Sequence, residues 1–298
     1  MFNSLIAKSL PIIPRSVVRA VAKRYIAGDA LSDAVRVAKE LARKGAAATI
    51  DVLGEFVDSR ERALSETKAS KEVIKAIEEY KLSSYLSVKP TSLGLAVDND
   101  FGYANIRALV EFASERGIFT RMDMENSPYT SATLDYYRRL RAEGFNNVGV
   151  VIQAYMRRSE GDVLSLLPLA PSVRLCKGIY VEDASIAFKQ PDEIRANYKK
   201  LLRILVDGGA KVGIATHDDN LISDAENLLG EQPAESTAHE FQMLLGVREE
   251  RRNALLSAGR RVRIYVPFGE DWYGYSTRRL KENPQIAWHV FKAIFKSS

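Results

Sequence analysis

Short apolar runs alternate with amphipathic stretches along most of the chain. Leu31, Ala34, Val35, Ala38 and Leu41 share one face of a helix predicted over residues 31–44, which Gly45 stops. Strand-like runs follow at 48–53, 84–88, 118–122, 148–152, 172–176, 211–215, 236–239 and 262–266, the seventh short and poor. Between them the spacing predicts helices over 59–80, 101–116, 130–143, 161–167, 192–207, 220–229 and 248–257. After the last run, Pro267 and Gly269 read as a strand break, and a further helical pattern opens near Asp271. Strands alternating with helices predict a parallel sheet, and eight such units in about 250 residues predict an α/β fold of the closed (β/α)8, TIM-like kind. The expected organisation is N-terminal helices over 1–45 packing on a barrel over 46–298. An open dinucleotide-binding sheet would need a Gly-x-Gly-x-x-Gly turn after its first strand, and Val52-Leu53-Gly54-Glu55 stands there instead.

Composition narrows the classes. The 298 residues are 46% hydrophobic and 27% charged, ordinary for a globular domain, with a net charge of +5 and both signs intermixed. That balance favours an anionic ligand or surface, and the absence of a basic stripe argues against nucleic acid. No apolar run reaches the roughly 18 residues of a membrane span. The first 28 residues are basic and acid-free. They read as a helix packing on the domain, with an interfacial membrane helix or a targeting peptide as the other readings. The lone Cys176 permits neither a disulfide framework nor a zinc site and reads as a small buried core residue in a reducing, cytoplasmic compartment. Asp218 reads as a helix cap.

In a barrel of this kind the active site lies where the strands finish. The second run ends at Lys89, the third at Asp123, the fourth at Gln153. The fifth carries Arg174 and Lys177, the sixth Thr216 and His217, the seventh Glu240 and Gln242, the eighth Tyr265. One polar residue after a strand is ordinarily a loop residue; the same feature after seven strands points to one shared mouth. No metal-ligand spacing links His217, His239 and His289, and no serine or cysteine nucleophile stands beside a histidine. Tyr275, Arg278, Arg279 and Glu282 fall on one helix face, and paired arginine forks match a planar carboxylate or phosphate. A cation-rich mouth of Lys89, Arg174, Lys177, Arg278 and Arg279 suits an anionic substrate. It also suits a flavin, whose reduction places negative charge near N1.

The ordered fragments Ser87-Val88-Lys89-Pro90, Met122-Asp123-Met124-Glu125, Val151-Ile152-Gln153-Ala154-Tyr155, Val173-Arg174-Leu175-Cys176-Lys177-Gly178, Ala215-Thr216-His217, Glu240-Phe241-Gln242-Met243-Leu244 and Tyr275-Ser276-Thr277-Arg278-Arg279-Leu280-Lys281-Glu282 resemble the proline dehydrogenase family, stand-alone bacterial type. The resemblance implies FAD-dependent oxidation of L-proline to Δ1-pyrroline-5-carboxylate, with electrons passed to a membrane quinone by a cytoplasmic protein in peripheral contact with the membrane. It implies that Arg278, Arg279 and Lys89 bind the proline carboxylate, that Tyr265, Tyr275 and Leu244 enclose the ring, and that Asp123 and Arg174 serve catalysis, Arg174 near the flavin N5. Met124, Gln153, Lys177, Gly178, Ile179, Thr216, His217, Gln242 and Glu282 are implied at the cofactor. The family usually carries alanine after Lys177-Gly178; here Ile179 adds bulk. A phosphate-binding or Schiff-base lyase using Lys89 or Lys177 is the competing enzyme class, and a membrane-surface adaptor using the basic N-terminus is the non-enzymatic one.

Overall fold

The apolar runs become eight parallel strands: β1 (Ala47–Val52), β2 (Ser84–Val88), β3 (Thr120–Met122), β4 (Val148–Gln153), β5 (Ser172–Cys176), β6 (Lys211–Ala215), β7 (His239–Leu244) and β8 (Val262–Phe268). They pair in chain order, and β8 closes on β1 with Thr49 opposite Tyr265. The computed structural model describes Arg19 and residues 23–230 and 238–273. The expectations for residues 1–18 and 20–22, and for Tyr275, Arg278, Arg279 and Glu282, lie outside the described residues.

Helices α1 (Leu31–Arg43), α2 (Arg60–Glu79), α3 (Asn99–Ser114), α4 (Ser127–Ala142), α5 (Ser159–Leu166), α6 (Pro191–Asp207), α7 (Asp219–Leu229) and α8 (Glu249–Ser257) cover the outside. Local chemistry sets their starts. Ser59 accepts from the Arg62 N–H, Asp98 accepts from the Phe101 N–H at 2.7 Å, and α4 and α6 each open with a proline in the first turn. α1 packs on β8 and β1. The segment before it straps the carboxyl end of the barrel: Arg24 Nε donates to Gly246 O, Ala27 N to Pro267 O, and Tyr25 and Ile26 pack with Leu53.

Successive strand residues point to opposite faces. The outward set, such as Ile50, Leu86, Met122, Val150, Val173 and Ile264, is buried in one apolar layer beneath the helices. The inward set differs from the branched apolar filling usual in such barrels. Asp51, Tyr85, Ser87, Arg121, Arg174, Gln242 and Arg263 are all buried inside. The lower half is held by Arg263, whose Nε reaches Glu240 at 2.7 Å and whose Nη1 reaches Ala48 O at 2.7 Å. Arg121 donates to Ser172 O at 2.6 Å and Val150 O at 3.1 Å. Long side chains need vacated space, and glycines in the strands supply it. A Cβ on Gly149 would lie 2.3 Å from Arg121 Nη1, and one on Gly213 would lie 2.3 Å from Gln242 Nε2.

Three expectations are corrected. The seventh strand is described over His239–Leu244 and so continues past its expected end at 239, because its inward residues Glu240 and Gln242 are polar and mask the alternation; residues 236 and 237 lie outside the described residues. The eighth runs through Pro267 to Phe268; Pro267 sits near the strand end, and its carbonyl still accepts from Ala27 N. The third begins at Thr120, because the Ile118 N–H is spent on Ala113 O closing α3.

Gly149→Ala should therefore lose stability by about 1–3 kcal/mol, the usual cost of overpacking. Urea denaturation followed by circular dichroism measures this, and an unchanged midpoint would refute the packing argument.

Candidate active site

Four side chains from four strands meet at the centre of the barrel: Lys89 and Asp123 directly after β2 and β3, Arg174 and Tyr265 from within β5 and β8. Asp123 accepts from Arg174 Nη1 at 2.6 Å, Tyr265 Oη at 2.7 Å and Ser87 Oγ at 2.8 Å. Lys89 Nζ lies 3.6 Å from the same carboxylate, 3.1 Å from both oxygens of Asp51 and 3.3 Å from Tyr265 Oη. Only 9% of the Lys89 side chain and 8% of that of Arg174 are exposed, so these charges answer to each other rather than to water.

The protonation states follow. Burial opposes charge on Lys89, but Asp51 and Asp123 outweigh it and hold the ammonium well above its ordinary range. Burial likewise opposes charge on Asp123, and Arg174 and Lys89 reverse it, so Asp123 stays ionised below the usual range. Asp51 lacks the guanidinium: burial lifts it to about 6 even with Lys89 beside it. Burial and the carboxylates of Asp123 and Asp51 keep Tyr265 a phenol, hence a donor.

Buried hydrogen bonds tie the loops of the mouth together. Glu125, wholly buried, accepts from the Thr91 N–H at 2.9 Å and from Thr91 Oγ1, which itself accepts from the Phe56 N–H. Gln153 Nε2 donates to the Glu125 carbonyl at 2.9 Å. The segments after β1, β2 and β3 and the end of β4 are thus joined. Glu182 accepts from the Ser127 N–H and Oγ, pinning the segment after β5 to the start of α4.

The structure brings Lys89, Asp123, Arg174 and Tyr265 together; Gln153 reaches the backbone of Glu125, and Met124 is buried in the apolar cluster. Lys177 lies further out, paired with Asp218 at 3.2 Å. Gly178 has φ +106°, and a Cβ there would strike the Tyr155 ring at 2.1 Å, so only glycine fits this turn. His217 Nε2 accepts from the Leu244 N–H at 3.0 Å, and Thr216 Oγ1 accepts from the Asp218 N–H at 3.1 Å. Ile179 is 39% exposed.

Some expectations change. Glu240 is not at the mouth but deeper, paired with Arg263, since β7 starts beside it. Gln242 turns its amide to Arg174, Tyr85 and Glu240. Asp218 occupies the N-cap of α7, but its carboxylate goes to Lys177 and Arg195, because two cations outcompete a neutral N–H. Cys176 is partly buried and packs against the apolar core, as expected of it; burial of its thiol pushes it up to about 12, which leaves it unreactive. Asp51 and Ser87 were missed. The available signal was a charge inside an apolar run, since a fully buried carboxylate requires a partner.

The family model for proline dehydrogenase matches residues 34–290. Proline dehydrogenase 1 of Bacillus subtilis (strain 168) is 38% identical over 275 residues, which cover 92% of this chain and 91% of that protein. Proline dehydrogenase of Deinococcus radiodurans is 36% identical over 283 residues, covering 93% and 90% respectively. Among solved structures, proline utilization A from Bdellovibrio bacteriovorus, inactivated by N-propargylglycine, matches with a TM-score of 0.81 at 26% identity; the match covers 89% of this chain and 33% of that longer one.

Burial lifts the Glu125 carboxyl from an ordinary 4.5 to about 7. The native state therefore holds this proton more tightly than the unfolded chain. Its stabilisation is complete below about pH 4.5 and is lost as pH rises through about 7. Relative to Glu125→Gln, the wild type should lose up to about 3 kcal/mol across that window. Urea denaturation at several pH values tests it; parallel profiles would be the contrary result.

Proposed function

The chain belongs to the proline dehydrogenase family, oxidoreductases acting on proline, and from that premise we propose that it oxidises L-proline to Δ1-pyrroline-5-carboxylate with FAD as its cofactor. The observation that carries this reading is the fixed array of Lys89, Asp123, Arg174 and Tyr265 at the mouth.

Proline offers a carboxylate at one end and bare methylenes at the other. In this reading Lys89 binds the carboxylate together with Arg278 and Arg279, which lie outside the described residues and are assigned from the family resemblance. Tyr265, Tyr275 and Leu244 enclose the ring. Tyr265 is oriented for this by its hydroxyl, which donates to Asp123. Holding both ends fixes C5 and supplies near-attack geometry.

The residues present fit a flavin. Arg174 keeps Nη2 buried with no hydrogen-bond partner among the described residues, a donor waiting for an acceptor. Met124, Gln153, Lys177, Gly178, Ile179, Thr216, His217 and Glu282 complete the proposed cofactor surface. A bound flavin supplies the acceptor for the hydride. The proline C5–H bond breaks with its electron pair, the amine gives up its protons to solvent, and a C5=N bond forms. Asp123, held ionised by Arg174 and Lys89, serves as an electrostatic anchor rather than as the base. Electrons pass on to a membrane quinone, which the protein meets as a peripheral protein at the cytoplasmic face; among the described residues no helix is long and apolar enough to cross a membrane.

The lyase reading loses ground on physical terms. A Schiff-base lysine must be neutral to attack, whereas Asp51 and Asp123 keep Lys89 protonated, and Lys177 is paired with Asp218.

The purified protein should be yellow, and anaerobic L-proline should bleach the flavin absorption; a folded protein with no flavin band refutes the proposal. Arg279→Lys should weaken proline binding by about 2–5 kcal/mol, read as a raised KM, because bidentate geometry is lost. Unchanged steady-state kinetics would remove the proposed clamp.

A further inference from the structure

Gln242 has an amide whose direction is dictated by its neighbours. Its Oε1 accepts from Arg174 Nε at 2.6 Å, and its Nε2 donates to Glu240 Oε1 at 2.7 Å and to Tyr85 Oη at 2.9 Å. A guanidinium only donates, and an ionised carboxylate only accepts. With Arg174 on one side and Glu240 on the other, only one orientation of the amide satisfies both. Glu240 is kept ionised: burial opposes its charge, but Arg263 at 2.7 Å overcomes that. Arg263 is anchored in turn on the Ala48 carbonyl. A continuous polar strut thus rises from the backbone of β1 through β8 and β7 to Arg174 on β5.

The sheet makes room for this strut. In the register of β5, β6 and β7, Gly213 stands between Arg174 and Glu240. A Cβ at Gly213 would lie 2.3 Å from Gln242 Nε2 and 2.6 Å from its Cδ. The amide therefore occupies the volume a side chain at 213 would fill. At the upper end, Asp123 and Ser87 take Arg174 Nη1 and Gln242 takes Nε, which leaves Nη2 buried and without a hydrogen-bond partner among the described residues.

We propose that Gln242 is a positioning residue, not a cofactor ligand: locked by Glu240 and admitted by Gly213, it fixes the plane of the Arg174 guanidinium and so aims Nη2. The mechanistic consequence rests on the flavin-side role of Arg174 proposed above; the positioning itself does not.

The test uses Gln242→Met, which removes the acceptor, Gly213→Ala, which displaces the amide without deleting a polar group, and Gln242→Glu, which restores an acceptor. Thermal melts identify which variants are folded. In the apoprotein, the Arg174 Nε–H resonance, assigned by its loss in Arg174→Lys, should exchange slowly with solvent in the wild type. It should lose that protection in Gln242→Met and in Gly213→Ala and regain it in Gln242→Glu. In the loaded protein, the rate constant for flavin reduction by proline should fall roughly tenfold to a hundredfold in the first two, as for one lost hydrogen bond to a charged group. Binding of a carboxylate competitor should stay within about twofold, since the carboxylate contacts are not touched. Protection that persists in either folded variant overturns the proposal, as does wild-type flavin reduction in both. If the wild type holds no flavin, the functional reading falls while the resonance still decides the strut.

Discussion

Charge placed inside a closed barrel must be answered there, by opposite charge as at Asp123 or by hydrogen-bond acceptors as at Arg121, because burial removes most of its hydration. Asp123 carries most of that obligation: it receives Arg174, Tyr265 and Ser87 and lies near Lys89. Removing one partner from such a buried set typically costs about 3–5 kcal/mol, since the survivor keeps its desolvation penalty without compensation. Well-packed apolar residues of similar volume would often be at least as stable. The barrel therefore takes its stability from the apolar layer between strands and helices and tolerates a costly interior. What that interior provides is an array of cations whose positions are set by protein partners, Lys89 by Asp51 and Arg174 by Asp123 and Gln242, the kind of fixed arrangement that favours electrostatic catalysis.

The same economy organises the mouth. Each segment that follows a strand could move alone if it were fastened only at its ends. Glu125 prevents this by gathering Thr91, and through it Phe56, while its own carbonyl receives Gln153. Glu182 does the same across the start of α4, where a carboxylate also complements the positive end of the helix. The segments that bear Lys89, Asp123 and Gln153 are thereby coupled to one another, which preserves the distances inside the array.

Much of this was visible from residue order. The runs at 84–88, 172–176 and 211–215 became strands with those bounds, because their outward residues are apolar and their ends carry turn or polar residues. The array was legible as polar residues that follow or interrupt apolar runs: Lys89 and Asp123 stand directly after theirs, while Arg174 and Tyr265 lie within theirs. The seventh strand was misread because the rule that buried faces are apolar fails in a barrel filled with Glu240, Gln242 and Arg263. Asp51 stands inside an apolar run with no motif to mark it, and only the closed barrel shows it as the fully buried partner of Lys89.

Periodicity and the ordered motifs determined the fold class, the family and the chemical character of the mouth, because each depends on residue types at fixed separations along one chain. Partnership was decided only by closure of the sheet. Lys89 meets Asp51, Arg174 meets Gln242, and Gly213 yields its volume to an amide from the next strand, through contacts between residues up to 68 positions apart. Which charge neutralises which, and hence which groups keep their protons, depends on distances in space that the linear order does not carry.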